Sequence, residues 1–106
     1  MALRRYIADF PALPAPTIEA YRGLAASVVG DAMNRERVMA AAIKPIAPGM
    51  RLCGQARTVS AMAGDNGIIH AAIPLVERGE VMVIDAAGVE DVAVWGEVMT
   101  RAAMHR

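Results

Sequence analysis

The sequence predicts an α/β fold, and three observations carry that prediction. Val81-Met82-Val83-Ile84 is an unbroken run of β-favouring apolar residues, opened by the Arg78-Gly79-Glu80 turn and closed by Asp85. That is how a strand buried on both faces reads. Gly88 and two acids, Glu90 and Asp91, follow it, and then Val92, Trp95, Met99 and Ala102 recur at spacings of three, four and three, which is helical. Strand, glycine loop and helix in that order aim the helix start at the space above the strand end, where free backbone N–H groups attract anions. Trp95-Gly96-Glu97-Val98-Met99 would line such a site.

The remaining elements fit the same class. Residues 1–16 contain a cluster of three prolines, Pro11, Pro14 and Pro16, and read as an extended arm ahead of a domain over 17–106. Thr17 is placed to cap a first helix, with Glu19 in its first turn and Gly23 weakening its middle. Ser27 is placed to cap a second, which carries Val28, Val29, Ala32 and Met33 with Asp31 near its start. Pro45 and Pro48 break the helical pattern, and Met50 to Ser60 reads as a strand with a bulge at Gly54. Gly64-Asp65-Asn66-Gly67 is a turn whose Asp65 or Asn66 would cap a helix over Ile68, Ile69, Ala72, Ile73 and Val76, with Pro74 kinking it or ending it early.

Composition narrows the function. The 106 residues allow one small core, and with 56% hydrophobic but only 4% aromatic residues that core must be Ala, Val, Ile and Met. On this reading the eight methionines fill gaps in the core and form no metal-binding box. Eleven basic residues balance eleven acidic ones, and no basic cluster follows the Arg4-Arg5 pair, so a nucleic-acid partner is not expected. A small anionic ligand fits better. A lone Cys53 leaves no internal disulfide or cysteine zinc cage and suits a reducing cytoplasm. No apolar run reaches membrane-spanning length and the start has no clean signal peptide, so the expected location is cytoplasmic, with no membrane partner.

Several short segments, taken in order, resemble one family. They are Val28-Val29-Gly30-Asp31-Ala32-Met33, Ile43-Lys44-Pro45, Pro48-Gly49-Met50-Arg51-Leu52-Cys53-Gly54, Ala56-Arg57-Thr58-Val59, Gly64-Asp65-Asn66, Gly79-Glu80-Val81 and Trp95-Gly96-Glu97. Each alone is weak, but in this order and spacing they resemble the RraA-like family over roughly residues 17–106. That family contains 4-hydroxy-4-methyl-2-oxoglutarate aldolases and regulators of ribonuclease activity, and Trp95-Gly96-Glu97 leans towards the aldolases.

The resemblance implies a swivelling β/β/α domain, of which this chain looks like the N-terminal part, assembled as homotrimers or homohexamers with active sites between subunits. It implies a class II aldolase (lyase) that cleaves such oxoacids to pyruvate and decarboxylates oxaloacetate, using magnesium or manganese to hold the enolate oxygen. Lys44 is then not needed as a Schiff-base nucleophile. Gly96, Glu97, Val98 and Met99 match the residues whose backbone binds the pyruvate carboxylate. The family's Gly-x-x-Arg-Asp segment, which supplies the carboxylate-pairing arginine and the metal-ligating aspartate, would follow the last helix, whereas the sequence ends at Arg106. The expectation is therefore a fragment with crippled or absent catalysis, no assignable catalytic or metal residue, and no useful binding of either metal by this chain alone. The alternative is a regulator that binds a ribonuclease by surface contact without catalysis.

Other polar residues have plainer readings. Asp65 and Asn66 are a turn and cap, His70 is a packed or surface residue, and His105 lies at a fraying end. Asp85 fits both a functional group at a strand end and a cap for the following loop. Glu90 and Asp91 are expected in the first turn of the last helix, favoured by its dipole.

Overall fold

The computed structural model describes residues 6–106; Arg4, Arg5 and the start of the expected arm lie outside the described residues. These residues form a mixed α/β structure with four α-helices and a two-stranded sheet. The chain divides into two compact units, one made of Leu13–Cys53 and the other of the segment ending at Ala12 together with Gly54–Arg106.

The Leu13–Cys53 unit holds α1 (Ala15–Arg22) and α2 (Ala26–Ala32). Two of the three clustered prolines start α1, and Ala15 and Pro16 lie inside it. Pro14 sits at the N-cap and Pro16 in the first turn, where a missing N–H costs nothing and a fixed φ favours the helix. The capping roles expected for Thr17 and Ser27 are not realised: neither helix has a side-chain cap, and both residues lie within the helical turns. Beyond α2 the chain enters two left-handed residues, Asn34 and Arg35, and no regular element follows until Ala56.

The second unit is built on a parallel pair, β1 (Ala56–Ser60) and β2 (Val81–Asp85), in the register Ala56↔Val81 to Ser60↔Asp85. A parallel pair needs a crossover, here α3 (Gly67–Ala72) and a 3₁₀ turn (Ile73–Leu75). Pro74 accounts for the early end of α3, since it cannot donate the next helical bond. α4 (Glu97–Met104) follows β2 and packs against the 3₁₀ turn, while α3 packs on β1.

The strand expected over Met50–Ser60 begins only at Ala56, and Leu52 is exposed. Its partner fixes this limit: Val81 is the first residue of β2, and its N–H donates to Gln55 O at 2.8 Å. Gly54 is a close-approach residue and not a bulge. A Cβ there would collide with the Gly79 carbonyl oxygen. Burial in β1 alternates, with Arg57 and Val59 inward. β2 is half-buried instead of fully buried, because among the described residues it has a single neighbouring strand.

The core of Val59, Ala61, Ile69, Ala72, Ile73 and Met99 is aliphatic, as the composition requires, with Ile68, Met82, Ile84 and Val94 packed against it. Among the described residues methionine fills gaps only at Met99 and Met82. Met33, Met39, Met50, Met62 and Met104 are exposed.

Arg57 is the one buried charged residue described. Its Nε and Nη2 donate to the two carboxylate oxygens of Glu80 at 2.5 and 2.9 Å, and Glu80 also accepts the Glu77 N–H at 2.8 Å. The Arg57 hydrogen bonds hold the Glu80 carboxyl below its ordinary value. The sign follows directly: a carboxylate with a depressed folded pKa stabilises the fold above its unfolded pKa and loses that contribution as pH falls through the folded value. The stability difference between wild type and Glu80→Gln should therefore shrink as pH drops from about 5 towards 2. Urea melts across that range check it, and a pH-independent difference would refute it. In the same melts Met99→Ala should cost about 2–4 kcal/mol through the cavity it leaves, whereas Met104→Ala should stay within about 0.5 kcal/mol.

Candidate carboxylate site at the start of α4

Parallel register places the carboxyl ends of both strands together, with Ser60 opposite Asp85 and the Ala61 N–H donating to Asp85 O at 2.9 Å. The loops leaving these ends lie on the side where open α/β sheets bind ligands. After β1, Gly64 takes a left-handed φ of 71° and Asp65 accepts the Gly67 N–H at 2.8 Å. Asp65 is thus the capping side chain, and Asn66, at the N-cap position, makes no such bond. After β2, Asp85 accepts the Ala87 N–H at 2.9 Å, so its carboxylate holds its own loop. The two loops approach each other: a Cβ on Gly64 would lie 3.8 Å from Val92 Cγ1.

α4 starts later than the apolar spacing predicts. Val92 and Trp95 precede the helix, and Glu90 and Asp91 lie in the loop and not in its first turn. The buried position is Met99, while Ala102 is exposed. Gly96 is the N-cap, with φ −148° and ψ −172°, and the first backbone bond runs from the Thr100 N–H to Gly96 O at 3.0 Å. The amides of Glu97, Val98 and Met99 therefore come before any intrahelical acceptor and point out of the helix start. Gly96 through Met99, the residues singled out from the resemblance, form the N-cap and first turn of α4. Their side chains differ: Val98 is 75% exposed, Met99 is 3% exposed in the core, and Glu97 pairs with Arg101 at 2.7 Å.

Sequence reading missed the brace behind this helix start. The Trp95 indole N–H donates to Thr100 Oγ1 at 2.8 Å, and that hydroxyl donates to Gly96 O at 3.1 Å. Gly96 O so accepts two bonds from one residue. In a trans peptide the carbonyl and the next N–H point opposite ways, so holding Gly96 O towards the helix aims the Glu97 N–H outwards. The available signal was a threonine four residues after a helix-starting glycine, since threonine hydroxyls bond the i−4 carbonyl.

The other polar candidates lie elsewhere. His70 is exposed on α3 and His105 is the C-cap of α4. Cys53 is a free, half-buried thiol in the Leu13–Cys53 unit, 3.6 Å from Ile18 O. That unit also contains an open cleft of about 740 Å³ among Tyr21, Leu24, Val29, Met33 and Val38, none of them a predicted site residue. No helix among the described residues is long and apolar enough to cross a membrane.

A family model described as Aldolase/RraA matches residues 26–106, more than three quarters of the chain and all of the strand–loop–helix just described. The chain belongs to the RraA-like family. The RraA-like family covers aldolases and decarboxylases, which are lyases, as well as regulators. No solved structure matches the chain.

Trp95 is the only tryptophan in this RraA-like chain, so its emission reports on the brace directly. Thr100→Val, which keeps the shape and removes the hydroxyl, should shift that emission to the red and lower stability by about 1 kcal/mol. Thr100→Ser should restore both. Unchanged emission in Thr100→Val would show that the indole bond does not form.

Proposed function

We propose that this RraA-like chain carries the carboxylate-binding half of a 2-oxoacid lyase of the aldolase and oxaloacetate decarboxylase type. The observation that supports this reading most is the set of outward-facing amides of Glu97, Val98 and Met99, at the start of an eight-residue helix beside the carboxyl ends of two parallel strands. Backbone N–H dipoles hold an anion without needing particular side chains. Gly96 leaves room for the approach, since nothing lies within 4 Å of where a Cβ would stand. The cradle's part in the chemistry is to bind and orient the oxoacid, so that the bond to be broken is presented the same way in each turnover.

The family's aldolases imply magnesium or manganese, and the residues described here do not fit such an ion. Among them no group of three or more His, Cys, Asp or Glu side chains is placed to hold a metal. Three of the nearby carboxylates are otherwise engaged, Asp65 with Gly67, Asp85 with Ala87, and Glu97 with Arg101, and Glu90 and Asp91 lie exposed in the loop before α4. On this reading the partners are a small oxoacid and further copies of the chain as a trimer or hexamer, in the cytoplasm, without nucleic acid. The half-buried β2 gives such an assembly a surface to cover.

Titrating the 106-residue chain with oxalate, a planar mimic of the pyruvate enolate, and with pyruvate tests the cradle through Trp95 fluorescence. Gly96→Val should fold like wild type, because its backbone is already extended and its Cβ meets nothing, and should weaken oxalate binding about tenfold or more. Glu97→Gln removes a negative charge from the helix start and should strengthen binding about two- to fivefold at low salt. A wild-type chain that binds neither anion, or variants that bind alike, would overturn the reading in favour of regulator-type protein contact.

A further inference from the structure

The Arg57–Glu80 pair lies at the amino end of the sheet, away from the α4 cradle, and its guanidinium has more partners than the carboxylate. Nε and Nη2 are both directed at Glu80, which leaves Nη1 to donate to Ala8 O at 3.2 Å. The Phe10 ring sits over the same group, with Arg57 Cζ 4.8 Å from its centroid. The charge of Asp9 also acts on it, helping to raise the guanidinium pKa behind the larger contribution of the Glu80 hydrogen bonds. Three consecutive residues therefore address one side chain that is only 11% exposed.

We propose that Ala8-Asp9-Phe10 is a releasable strap, latched to the amino end of the sheet by the face and the one spare N–H edge of the Arg57 guanidinium. The two sets of bonds are unequal. The fork to Glu80 is a paired, charge-assisted contact between β1 and the residue before β2, so it is internal to the sheet and survives departure of the strap. The strap holds on through a longer bond from a neutral carbonyl and through a cation–π contact, which are weaker. Its neighbours Tyr6 and Ile7 are exposed and add little grip. Pro11 and Ala12 separate the strap from the start of the Leu13–Cys53 unit. An N-terminal segment that reads as an extended arm thus becomes a two-state element, closed on Arg57 or open.

Limited proteolysis of the full chain with endoproteinase Asp-N, which cuts on the amino side of aspartate, reads the open state as cleavage between Ala8 and Asp9. Phe10→Leu keeps the cleavage site and the apolar volume but removes the ring. It should be cut in this segment about tenfold faster than wild type, with the thermal midpoint and cleavage elsewhere unchanged. Phe10→Tyr should be cut as slowly as wild type. Arg57→Lys, which keeps the charge but loses the fork, should release the strap and lower the thermal midpoint as well. Equal cleavage of wild type and Phe10→Leu would overturn the proposal. So would wild-type cleavage as fast as that of a free peptide of residues 6–13, or acceleration in Phe10→Leu spread over the whole chain.

Discussion

A guanidinium placed inside the alternating inward face of β1 is the constraint on which the rest of this fold depends. Position 57 faces inward with Val59, and a buried cation there is tolerable only if its charge is paired and hydrogen-bonded. Glu80 meets that demand from the residue before β2, and it can do so only when Ala56 stands opposite Val81. A slip by one residue would turn Arg57 outward and leave the Glu80 carboxylate without its fork. The close pass of Gly54 against Gly79 works in the same direction, because any side chain at 54 would push the incoming strand away. Register at the amino end is therefore specified by charge and by sterics together.

Register at one end carries through to the other. With five paired positions, fixing Ala56 against Val81 also fixes Ser60 against Asp85, and so brings the exits to α3 and α4 side by side. Asp65 and Asp85 each bond an N–H two residues on, which makes both exits tight turns. Each of these two carboxylates is committed to its own loop. The negative charge closest in sequence to the cradle is that of Glu97, which stabilises the isolated helix through the dipole while opposing a bound carboxylate. Its exposed pairing with Arg101 offsets part of that opposition.

What the sequence showed of this architecture depended on whether the signal was local. The run Val81–Ile84, the Asp65 turn and the break at Pro74 are written within a few residues of where they act, and all three are found. The start of β1 was not legible, because it is set by Val81 and Gly79, more than twenty residues away. The length of α4 was misread for another reason. Val92 and Trp95 are apolar at helical spacing, but Val94 packs on the core from an irregular loop and Trp95 turns its indole to Thr100. Burial without helix gives the same letters. Arg57 could be noticed only as one residue in a family-like segment, since nothing nearby in sequence announces a buried partner at position 80. The Gly96–Met99 stretch was singled out by resemblance and not by periodicity, which ran the helix back to Val92, and it forms the N-cap and first turn of α4.

Met99 joins these strands of argument. Its side chain closes the core together with Ile69 and Ile73, while its amide is one of the three that face outward from the start of α4. The first turn of a helix has no hydrogen bonds behind its N–H groups to fix their direction. Here that direction is held from two sides, by burial of the Met99 side chain and by the double bond of Thr100 to the Gly96 carbonyl. Packing and hydrogen bonding thus do for the amides what side-chain identity does in a site built from charged residues. Val98 and Glu97, which are not so held, are left free to vary in contact and charge. It follows that the orientation of these amides is coupled to the stability of the core: whatever loosens Ile69, Ile73 and Met99 loosens the amides with them.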